Sequence, residues 1–280
     1  MAITTLDGYI GAAKQKITYV KTATATSVAA NWHTLWNLAG EPGAGTFLNM
    51  VGTANSSSGR IVQDNIAGFP LVNTFGTGNT GYVTGFDFSN SLAGRFMIYD
   101  RVWEMGPINW NNVNRVVNLT PNASSYEYRV PLNSAGTRDW GTLGIWVDVS
   151  SQFSASASTI SVRYINDTGT VSNTPATATL SAFITGRVFQ LPLQAGDKGV
   201  VRVTDVSLGG VSNVAASFNV FLARILYTGA RVNVANYSDV HSFEKLGMPV
   251  IDASAALAIN YAADSTVTGV VDCIIEIANG

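Results

Sequence analysis

Residues 160–172 read ISVRYINDTGTVS, and this stretch decides the fold class. Ile160, Val162 and Tyr164 alternate with polar residues, and a period of two is typical of a half-buried antiparallel strand. Residues 166–169, NDTG, have the composition of a tight turn, and a second β-branched run follows at once. The stretch therefore predicts a β-hairpin.

The same two signals, alternation and turn residues, recur along most of the chain. Alternating or continuously apolar runs occupy residues 126–130, 143–149, 200–206 and 270–280, and the runs at 96–99 and 218–226 have the pattern of strands buried on both faces. Turn sequences such as GDKG at 196–199 separate them. Many short strands at this spacing predict an all-β protein, an antiparallel β-sandwich or jelly roll.

The composition supports this fold class and excludes others. Of the 280 residues, 46% are hydrophobic and only 12% are charged, about half the usual charged share. A disordered chain needs the opposite balance. The net charge of −2 lacks the basic excess of a nucleic-acid-binding surface, so no nucleic acid is expected as a direct partner.

The first 45 residues follow a different spacing. Thr4 or Thr5 can cap a helix that begins near Leu6, and apolar residues then recur at helical intervals. Ser27 can cap a second helix, which Gly40 and Pro42 would end. The sequence therefore predicts a short N-terminal arm of two helices, residues 1–45, joined by an extended connector.

The two predicted helices carry apolar stripes that they are too short to bury by themselves. Their candidate interface side chains, which we expect to dock on the body or on another chain, are Leu6, Ile10, Ile17, Trp32, Leu35 and Trp36. Lys14, Lys16 and Lys21 give the same segment a small positive excess, as expected of a solvated helix face. The prediction is an arm that docks on a partner.

Residues 46–280 form the predicted β-sandwich body. The serine- and alanine-rich stretch at 150–158 is the candidate boundary between two subdomains. A loop within one domain explains the same stretch, so one or two β domains both remain open.

The single cysteine, Cys273, cannot form an intrachain disulfide and lies in a strand-like apolar run, where it is expected to pack as a small hydrophobe. The N-terminus lacks the apolar core of a secretory signal. No run reaches the roughly 18 apolar residues of a membrane helix, so no membrane partner is expected.

No combination of residues predicts catalysis or metal binding. His33 and His241 have no second His or Cys at ligand spacing. Asp239, His241 and Glu244 resemble an acid–base cluster, but a helix start capped by Ser238 or Asp239 explains them more simply.

Acidic residues and a glycine motif give no stronger signal for an enzyme. Asp100, Glu104, Asp139 and Asp148 lie near aromatic residues in the sequence, as pairs in glycosidases do. GTGNTG at 76–81 matches a dinucleotide-binding pattern, but a strand follows it where that motif needs a helix. The protein is therefore not expected to be an enzyme, and no cofactor is expected.

The tryptophans outside the arm offer a second functional hypothesis. Trp103, Trp110 and Trp140 could stack on sugar rings if they were exposed on the β body, or they could fill its core. The first case predicts a glycan-binding or receptor-binding component.

Three stretches resemble structural proteins encoded by tailed bacteriophages. They are AAKQKITYVKTATATSVAANWHTLWNLAGEPGAGT at 12–46, FQLPLQAGDKGVVRV at 189–203 and ARVNVANYSDVHSFEKLGMPVIDASA at 230–255. The resemblance implies a virion protein, in particular a head decoration or cement protein with a β-sandwich or jelly-roll fold. It carries over no catalytic residues.

The resemblance also implies partners and a location. The expected partners are the major capsid protein and further copies of this chain, as a dimer or trimer, in the virion and in the host cytoplasm before assembly. A tail or receptor-binding component is the alternative position in the particle. Low charge fits either case, because scarce surface charge favours association.

Overall fold

The computed structural model describes residues 3–21, 29–47, 56–57, 59–110, 115–119, 126–152, 158–176, 184–210, 216–266 and 269–280. Its helices and strands are α1 (Leu6–Gly11), β1 (Ala13–Lys21), β2 (Trp32–Thr34), β3 (Gly40–Glu41), β4 (Ser56–Ser57), β5 (Arg60–Ile61), β6 (Gly81–Asn90), β7 (Gly94–Trp110), β8 (Arg115–Leu119), β9 (Leu143–Ser151), β10 (Ser158–Asn166), β11 (Val171–Asn173), β12 (Arg187–Leu191), β13 (Val200–Gly210), β14 (Ala216–Val232), β15 (Tyr237–Ser242), α2 (Phe243–Leu246), β16 (Val250–Ile251), β17 (Leu257–Ala263) and β18 (Val271–Asn279). The predicted all-β class is confirmed.

The chain forms two compact units, each with its own core. Unit 1 consists of Met1–Thr46, Val62–Arg101 and Ile225–Gly280, and unit 2 consists of Phe47–Ile61 and Val102–Arg224. Unit 2 is therefore formed by two segments that interrupt the sequence of unit 1, and unit 1 contains both the first and the last strand of the described chain.

Unit 1 contains a sheet in the order β15-β6-β18-β1-β3, and β16 also pairs with β6. Its pairings are antiparallel, and β1 pairs with β18 from Ala13↔Asn279 to Lys21↔Val271. A second layer is built on β17, which pairs with residues 94–100 of β7 and with β2.

The core of unit 1 lies between these layers. One face of the sheet contributes Ile17, Tyr19, Phe86 and Phe88, and the other layer contributes Phe96, Ile98, Ile259 and Tyr261. Phe88 and Phe96 have ring centroids 5.4 Å apart. Because side chains alternate along a strand, the residues between the core positions point to the opposite side of the sheet.

Unit 2 is a second antiparallel sandwich. One sheet has the order β11-β10-β13-β8-β4, with a parallel contact only between β4 and β8. In the other layer, β9 pairs with β12 and with Ser217–Arg224 of β14. The alternating residues of β9 and β10 that the sequence singled out meet in one core, among them Ile145, Val147, Ile160 and Val162.

The predicted hairpin at 160–172 is confirmed as β10, a turn and β11. Asn166 organises the turn: its Oδ1 accepts the N–H of Thr168 at 3.1 Å and that of Thr170 at 2.8 Å. Gly169 adopts a φ of 83°, a conformation that glycine tolerates without strain. The local turn chemistry therefore fixes the hairpin.

The helical prediction for the N-terminus is wrong except for its first turns. Thr5 caps α1 as expected, with its hydroxyl accepting the N–H of Gly8 at 3.1 Å, but the helix ends at Gly11 and β1 follows. No second helix forms at 32–39: Trp32–Thr34 is a strand that pairs with β17. Pairing with a buried strand overrides the helical spacing. The predicted cap Ser27 and the connector residues 22–28 lie outside the described residues.

Residues 13–21 belong to a sheet instead of an arm. Ile17, Tyr19 and Lys21 are buried, while Lys16 and Thr18 are exposed, so the segment has the period of a strand. The prediction of an arm over 1–45 is corrected in this respect, because β1 is paired on both sides, by β18 and β3.

Three smaller predictions also need correction or placement. Residues 127–129 form a 3₁₀ turn where a strand was expected. The helix after β15 begins at Phe243 with Ser242 as its N-cap, so Ser238 and Asp239 do not cap it. The stretch 150–158 falls inside unit 2, and its residues 153–157 lie outside the described residues.

Cys273 is confirmed as a buried strand residue, 1% exposed in β18. Burial is the main cause that raises the pKa of its thiol well above the ordinary value. We predict that a thiol reagent modifies native Cys273 about 10³-fold or more slowly than the unfolded chain, since reaction requires opening of a strand paired on both sides. Absorbance with a disulfide reagent, with and without denaturant, measures this, and fast labelling of the native protein would contradict it.

Candidate interaction surface

The Tyr9 side chain attaches helix α1 to β18 and α2. The Tyr9 hydroxyl donates a hydrogen bond to Glu276 Oε1 of β18 at 3.0 Å. The Tyr9 ring lies 4.9 Å from that of Phe243 in α2, and Lys14 Nζ lies 4.1 Å from the Tyr9 centroid. Tyr9 therefore anchors α1.

The apolar side chains of α1 point away from the protein. Leu6 is 61% exposed and Ile10 is 66% exposed. Both lie on a six-residue helix with no buried residue. Such side chains lower the free energy of a complex when a partner covers them. Leu6 and Ile10 therefore remain candidate interface residues.

The other four predicted interface residues lie inside unit 1 or at its edge. Leu35 and Trp36 are fully buried, and Ile17 is 4% exposed. Trp36 stacks on Phe69 with centroids 5.4 Å apart. Trp32 is half-buried, with the Arg95 guanidinium 5.7 Å from its ring. Ile17, Leu35 and Trp36 therefore stabilise the chain's own core, and the structure corrects their placement on a docking surface.

The side of the β15-β6-β18-β1 sheet that faces away from the core is a second surface, which we call the outer face. The strand registers place Val240, Asp87, Ile274 and Thr18 in one row across the four strands. Each of them is half-buried or exposed. Helix α1 lies beside this face, because Tyr9 reaches Glu276 in the next row.

Charges on the outer face are separated by strand. Asp87 lies on β6, Asp272 and Glu276 lie on β18, and Lys14 and Lys16 lie on β1. Within the described part of the chain, no ion pair involves Lys16, Asp87 or Asp272. In the strand register, Lys16 lies directly opposite Glu276.

Lys21, at the end of β1, does not belong to this set. It is buried, and its Nζ donates to the carbonyl of Leu38 at 3.0 Å and to that of Pro42 at 2.6 Å. Burial lowers the pKa of Lys21 to about 8. Its role is to hold the chain that follows β2 against β1.

His241 joins β15 to β14 through a short relay. Its Nδ1 lies 2.6 Å from the Tyr227 hydroxyl, and its Nε2 lies 3.3 Å from Asp239 Oδ2. If the Tyr227 hydroxyl donates to Nδ1, the neutral imidazole carries its hydrogen on Nε2 and donates to the Asp239 carboxylate. The ring also packs edge-on against Phe88 at 5.0 Å.

This relay predicts a pH dependence of stability. Burial, and secondarily the charge of Lys245, lower the pKa of His241 below its ordinary value of 6.5, although Asp239 opposes the shift. The unfolded chain then binds a proton more readily than the folded one, so this contribution to stability is present above pH 6.5 and is lost as the pH falls through the folded pKa.

We therefore expect wild type to lose more stability than His241→Gln when the pH is lowered from about 7.5 to about 5. Urea unfolding at several pH values measures the free energy of unfolding of both proteins. The two proteins share all other titrating groups, so the difference between them isolates the contribution of His241. Parallel curves for the two proteins would contradict the assignment.

The acidic residues considered for catalysis lie in both units, and two of them pair with other side chains. Glu104 pairs with Arg60 in unit 2, and the buried Asp148 accepts a hydrogen bond from Asn219 Nδ2 at 2.8 Å. Asp100 is buried in unit 1, and Asp139 is half-buried in unit 2. Glu244 lies on α2 and is not part of the His241 relay. The structure thus brings together Asp239 and His241 of the predicted cluster and leaves out Glu244.

In the described residues, the fold assembles neither a metal-binding cluster nor a nucleotide-binding loop. Across the described ranges, no group of three or more His, Cys, Asp or Glu side chains is placed to hold a metal ion. His33 is buried in β2, opposite Tyr261. GTGNTG is a turn, in which the Gly76 carbonyl accepts the N–H of Asn79 at 2.8 Å, and β6 follows it as the sequence predicted.

Two of the three tryptophans proposed to stack on sugars have described side chains, and neither of these is classed as exposed. Trp103 is 2% exposed, and Trp140 is half-buried against the core of unit 2. The side chain of Trp110 lies outside the described part of the chain. Trp103 is therefore unavailable for stacking.

Among the described residues, no helix has the length and apolarity to span a membrane.

Sequence reasoning missed the outer face. The alternation GFDFSN in β6 and VDCIIEIA in β18 identifies which residues point away from the core. It does not show that β6, β18 and β1 are neighbours, because the first and last strands of unit 1 meet only in the folded chain. Predicting the outer face would have required the register in which β6, β18 and β1 pair.

The solved structures compared with the chain include distant structural neighbours. No protein-family model matches the chain, and no curated protein matches it. Its solved structural neighbours include the VP2 subviral particle of infectious bursal disease virus, with 10% identity and a TM-score of 0.20 over 95% of this chain and 80% of that chain. The structures of the Gx and Gt strains of that virus have 10% identity, the same coverages and TM-scores of 0.19. TM-scores this low do not define a common fold.

Proposed function

We propose that this chain is a structural protein of a bacteriophage virion, and specifically a decoration or cement protein. In this role it binds the major capsid protein as a homo-oligomer and stabilises the shell. It works by packing against other protein subunits and performs no catalysis. The sequence resemblance to phage structural proteins supports the viral assignment, and the exposed surface of unit 1 supports a role in assembly.

The observation that carries the proposal is the exposure of Leu6 and Ile10 on α1. Leu6 and Ile10 lie one helical turn apart and are both more than half exposed, and neighbouring exposed apolar side chains are typical of an interaction surface. Most of the exposed large hydrophobic side chains in the described residues also belong to unit 1; the others in unit 1 are Leu71, Ile225, Val234, Tyr237, Val240, Val250 and Val270. We therefore assign the assembly contacts to unit 1.

The small size of α1 is consistent with such a role. Two apolar side chains bury too little area for a tight complex by themselves. A shell presents the same partner surface many times, and an oligomer that engages several sites at once gains avidity without any new kind of contact. Weak contacts made by a homo-oligomer are therefore sufficient to decorate a shell.

Imaging of particles that carry a labelled chain tests the proposal. Phage particles are purified with a tagged copy of this chain, and the tag is located with an electron-dense label. A decoration protein places labels over the head in many copies per particle. Labels at the tail tip would support the receptor-binding alternative, and particles that contain none of the chain would refute a virion role.

A further inference from the structure

Strand β15 lies at the edge of its sheet, and within the described residues its only strand partner is β6. We infer that this edge pairs with the same edge of a second copy of the chain. The two copies of β15 run antiparallel and are centred on Val240, so the sheet of unit 1 continues across a two-fold axis. The inference rests on the proposed function and identifies the contact between copies in the homo-oligomer.

The hydrogen bonds of β6 show which backbone groups of β15 face the open edge. Asn236 donates its N–H to the Asn90 carbonyl at 2.9 Å, so the backbone of Asn90 faces β15. The register sets Asn90 and every second residue before it opposite the odd-numbered residues of β15. Because these groups alternate along an antiparallel strand, the N–H and C=O of Ser238, Val240 and Ser242 point away from β6.

The amide of Val240 shows this direction directly. Its N–H donates to Oδ1 of the neighbouring Asp239 at 2.8 Å and not to β6. In the free chain the carboxylate therefore satisfies the edge amide, which protects an edge strand from indiscriminate pairing. Pairing replaces this bond by one to the Val240 carbonyl of the second copy. One bond is exchanged for another, so the rest of the ladder and the side chains decide the affinity.

A centre at Val240 gives a self-complementary set of opposite residues. Val240 lies opposite its own copy, Ser238 lies opposite Ser242, and Asp239 lies opposite His241, with both unequal pairs occurring twice by symmetry. Asp239 and His241 then form a non-hydrogen-bonded pair, the type in which side chains are closest. The carboxylate oxygen released by Val240 in each copy is thus placed near the imidazole of the other.

The side chains of β15 select this register. A centre at Asp239 would set two carboxylates opposite each other, which is destabilising. A centre at His241 would set the two imidazoles opposite each other and extend the ladder into α2, which begins at Phe243. An acidic strand from a different protein would meet the Asp239 carboxylate as well. A second copy, which offers an imidazole at that place, is the partner that this edge fits.

The opposite edge of the sheet is less suited to self-pairing. Two residues of β3 already cover one end of β1. The rest of that edge carries Lys14 and Lys16, and lysine on an edge strand opposes pairing with a second copy. Strand β15 contains no lysine or arginine.

Exposed apolar side chains accompany the β15 edge. Val234, Tyr237 and Val240 are each more than half exposed. In the pair, the two copies of Val240 lie next to each other on the outer face, at the two-fold axis. Covering these side chains stabilises the contact through burial of apolar area.

This arrangement also orients helix α1 for the proposed function. The two-fold axis of an antiparallel pair within one sheet is perpendicular to that sheet, so the outer faces of both copies point the same way. Tyr9 holds α1 beside this face through Glu276. The dimer therefore presents Leu6 and Ile10 of both copies toward one partner surface, where two weak contacts act together.

Val240→Pro tests the backbone pairing in the full chain. Proline removes the edge N–H without removing a hydrogen bond to β6. We expect self-association to weaken about tenfold or more, because both symmetric bonds at the axis are lost. Sedimentation equilibrium measures the dissociation constants, and circular dichroism checks the fold.

Thr18→Pro is the matched control on the opposite edge. Gly280 and Thr80 exchange hydrogen bonds at 3.0 and 3.2 Å. Counting from this pair through the register of β18 and β1, the N–H of Thr18 points away from β18. This variant should fold and self-associate like wild type.

Val240→Cys gives a readout that does not depend on tolerance of proline. At the two-fold axis the Cα atoms of residue 240 in the two copies lie about 5.5 Å apart, within the range that a disulfide spans. Mild oxidation with copper phenanthroline should link most chains into dimers, which non-reducing gel electrophoresis counts. Val171→Cys, on the exposed edge strand β11 of unit 2, should remain mainly monomeric. The native Cys273 is buried.

Three results would overturn the inference. Wild type could stay monomeric up to about 100 μM, a folded Val240→Pro could self-associate like wild type, or both cysteine variants could cross-link equally. If Val240→Pro does not fold, the cysteine comparison decides. Particle imaging judges the proposed function separately: absence of the chain from particles, with an intact dimer, would refute that function and retain the pairing. A monomeric chain found over the head would do the reverse.

Discussion

Trp36→Ala is expected to destabilise unit 1 by about 3–5 kcal/mol, the range for removal of a buried aromatic side chain. Trp36 is fully buried, stacks on Phe69 at 5.4 Å and has the Arg101 guanidinium 5.1 Å from its ring. Its carbonyl also accepts the N–H of Gly45 at 2.9 Å. The substitution leaves a cavity and removes a cation–π partner. Urea unfolding followed by circular dichroism measures the loss.

Trp32→Ala is the matched control. Trp32 lies on β2 and is only half-buried, so its removal is expected to cost about 1 kcal/mol, the usual effect of a point substitution. If Trp36 were instead a docking residue, Trp36→Ala would leave the free energy of unfolding unchanged and reduce only partner binding. That pattern would contradict the core assignment.

The double variant Leu6→Asp, Ile10→Asp is expected to fold normally and to lose incorporation into particles by about tenfold or more. The two side chains contact no core in the free chain, so folding does not depend on them. Burying two carboxylates against an apolar partner costs several kcal/mol, and each ~1.4 kcal/mol corresponds to about a tenfold change in affinity. Quantitative mass spectrometry of purified particles gives the number of copies bound.

Leu132→Asp, Val171→Asp provides the comparison in unit 2. Leu132 is 59% exposed and Val171 is 47% exposed, so the chemical change is similar and the location differs. This variant should be incorporated like wild type. Equal loss in both variants would show that added negative charge, and not the α1 surface, decides incorporation.

The β architecture was predictable wherever strand period and turn chemistry agreed. Residues 160–172 contain both signals, and β10, the Asn166 turn and β11 follow the prediction. The runs at 96–99 and 218–226 lie within β7 and β14, where the buried pattern requires neighbours on both faces. Local signals could not show that segments of the two units alternate along the chain, because that division depends on contacts between residues distant in sequence.

The N-terminal segment shows how the helical prediction failed. Ile17 fits a helical stripe that begins at Leu6, but it also alternates with Lys16 and Thr18, and the strand period prevails because β18 offers a full-length partner. Trp32, Leu35 and Trp36 have helical spacing, yet Leu35 donates its N–H to the Ile259 carbonyl at 3.2 Å. In both segments, pairing with a strand that is distant in the sequence overrides the helical spacing.

Only part of the candidate surface was predictable, because only part of it is determined by residues close together in the sequence. Leu6 and Ile10 were identified from local spacing, and α1 forms from local capping by Thr5. Trp36 was predicted to dock on a partner because it has helical spacing from Trp32. The strand that pairs with β2 is β17, which is distant in the sequence, so local spacing could not reveal the pairing. The charge pattern of the outer face depends on bringing β1, β6 and β18 side by side.

Hydroxyl-radical footprinting of the free protein and of assembled particles tests whether unit 1 provides the assembly surface. Oxidation of each side chain is quantified by mass spectrometry in both states. We expect Leu6, Ile10 and Val240 to become protected on assembly, while Leu132 and Val171 keep the reactivity of the free protein. Protection of Leu132 and Val171 with unchanged oxidation of Leu6 and Ile10 would contradict it.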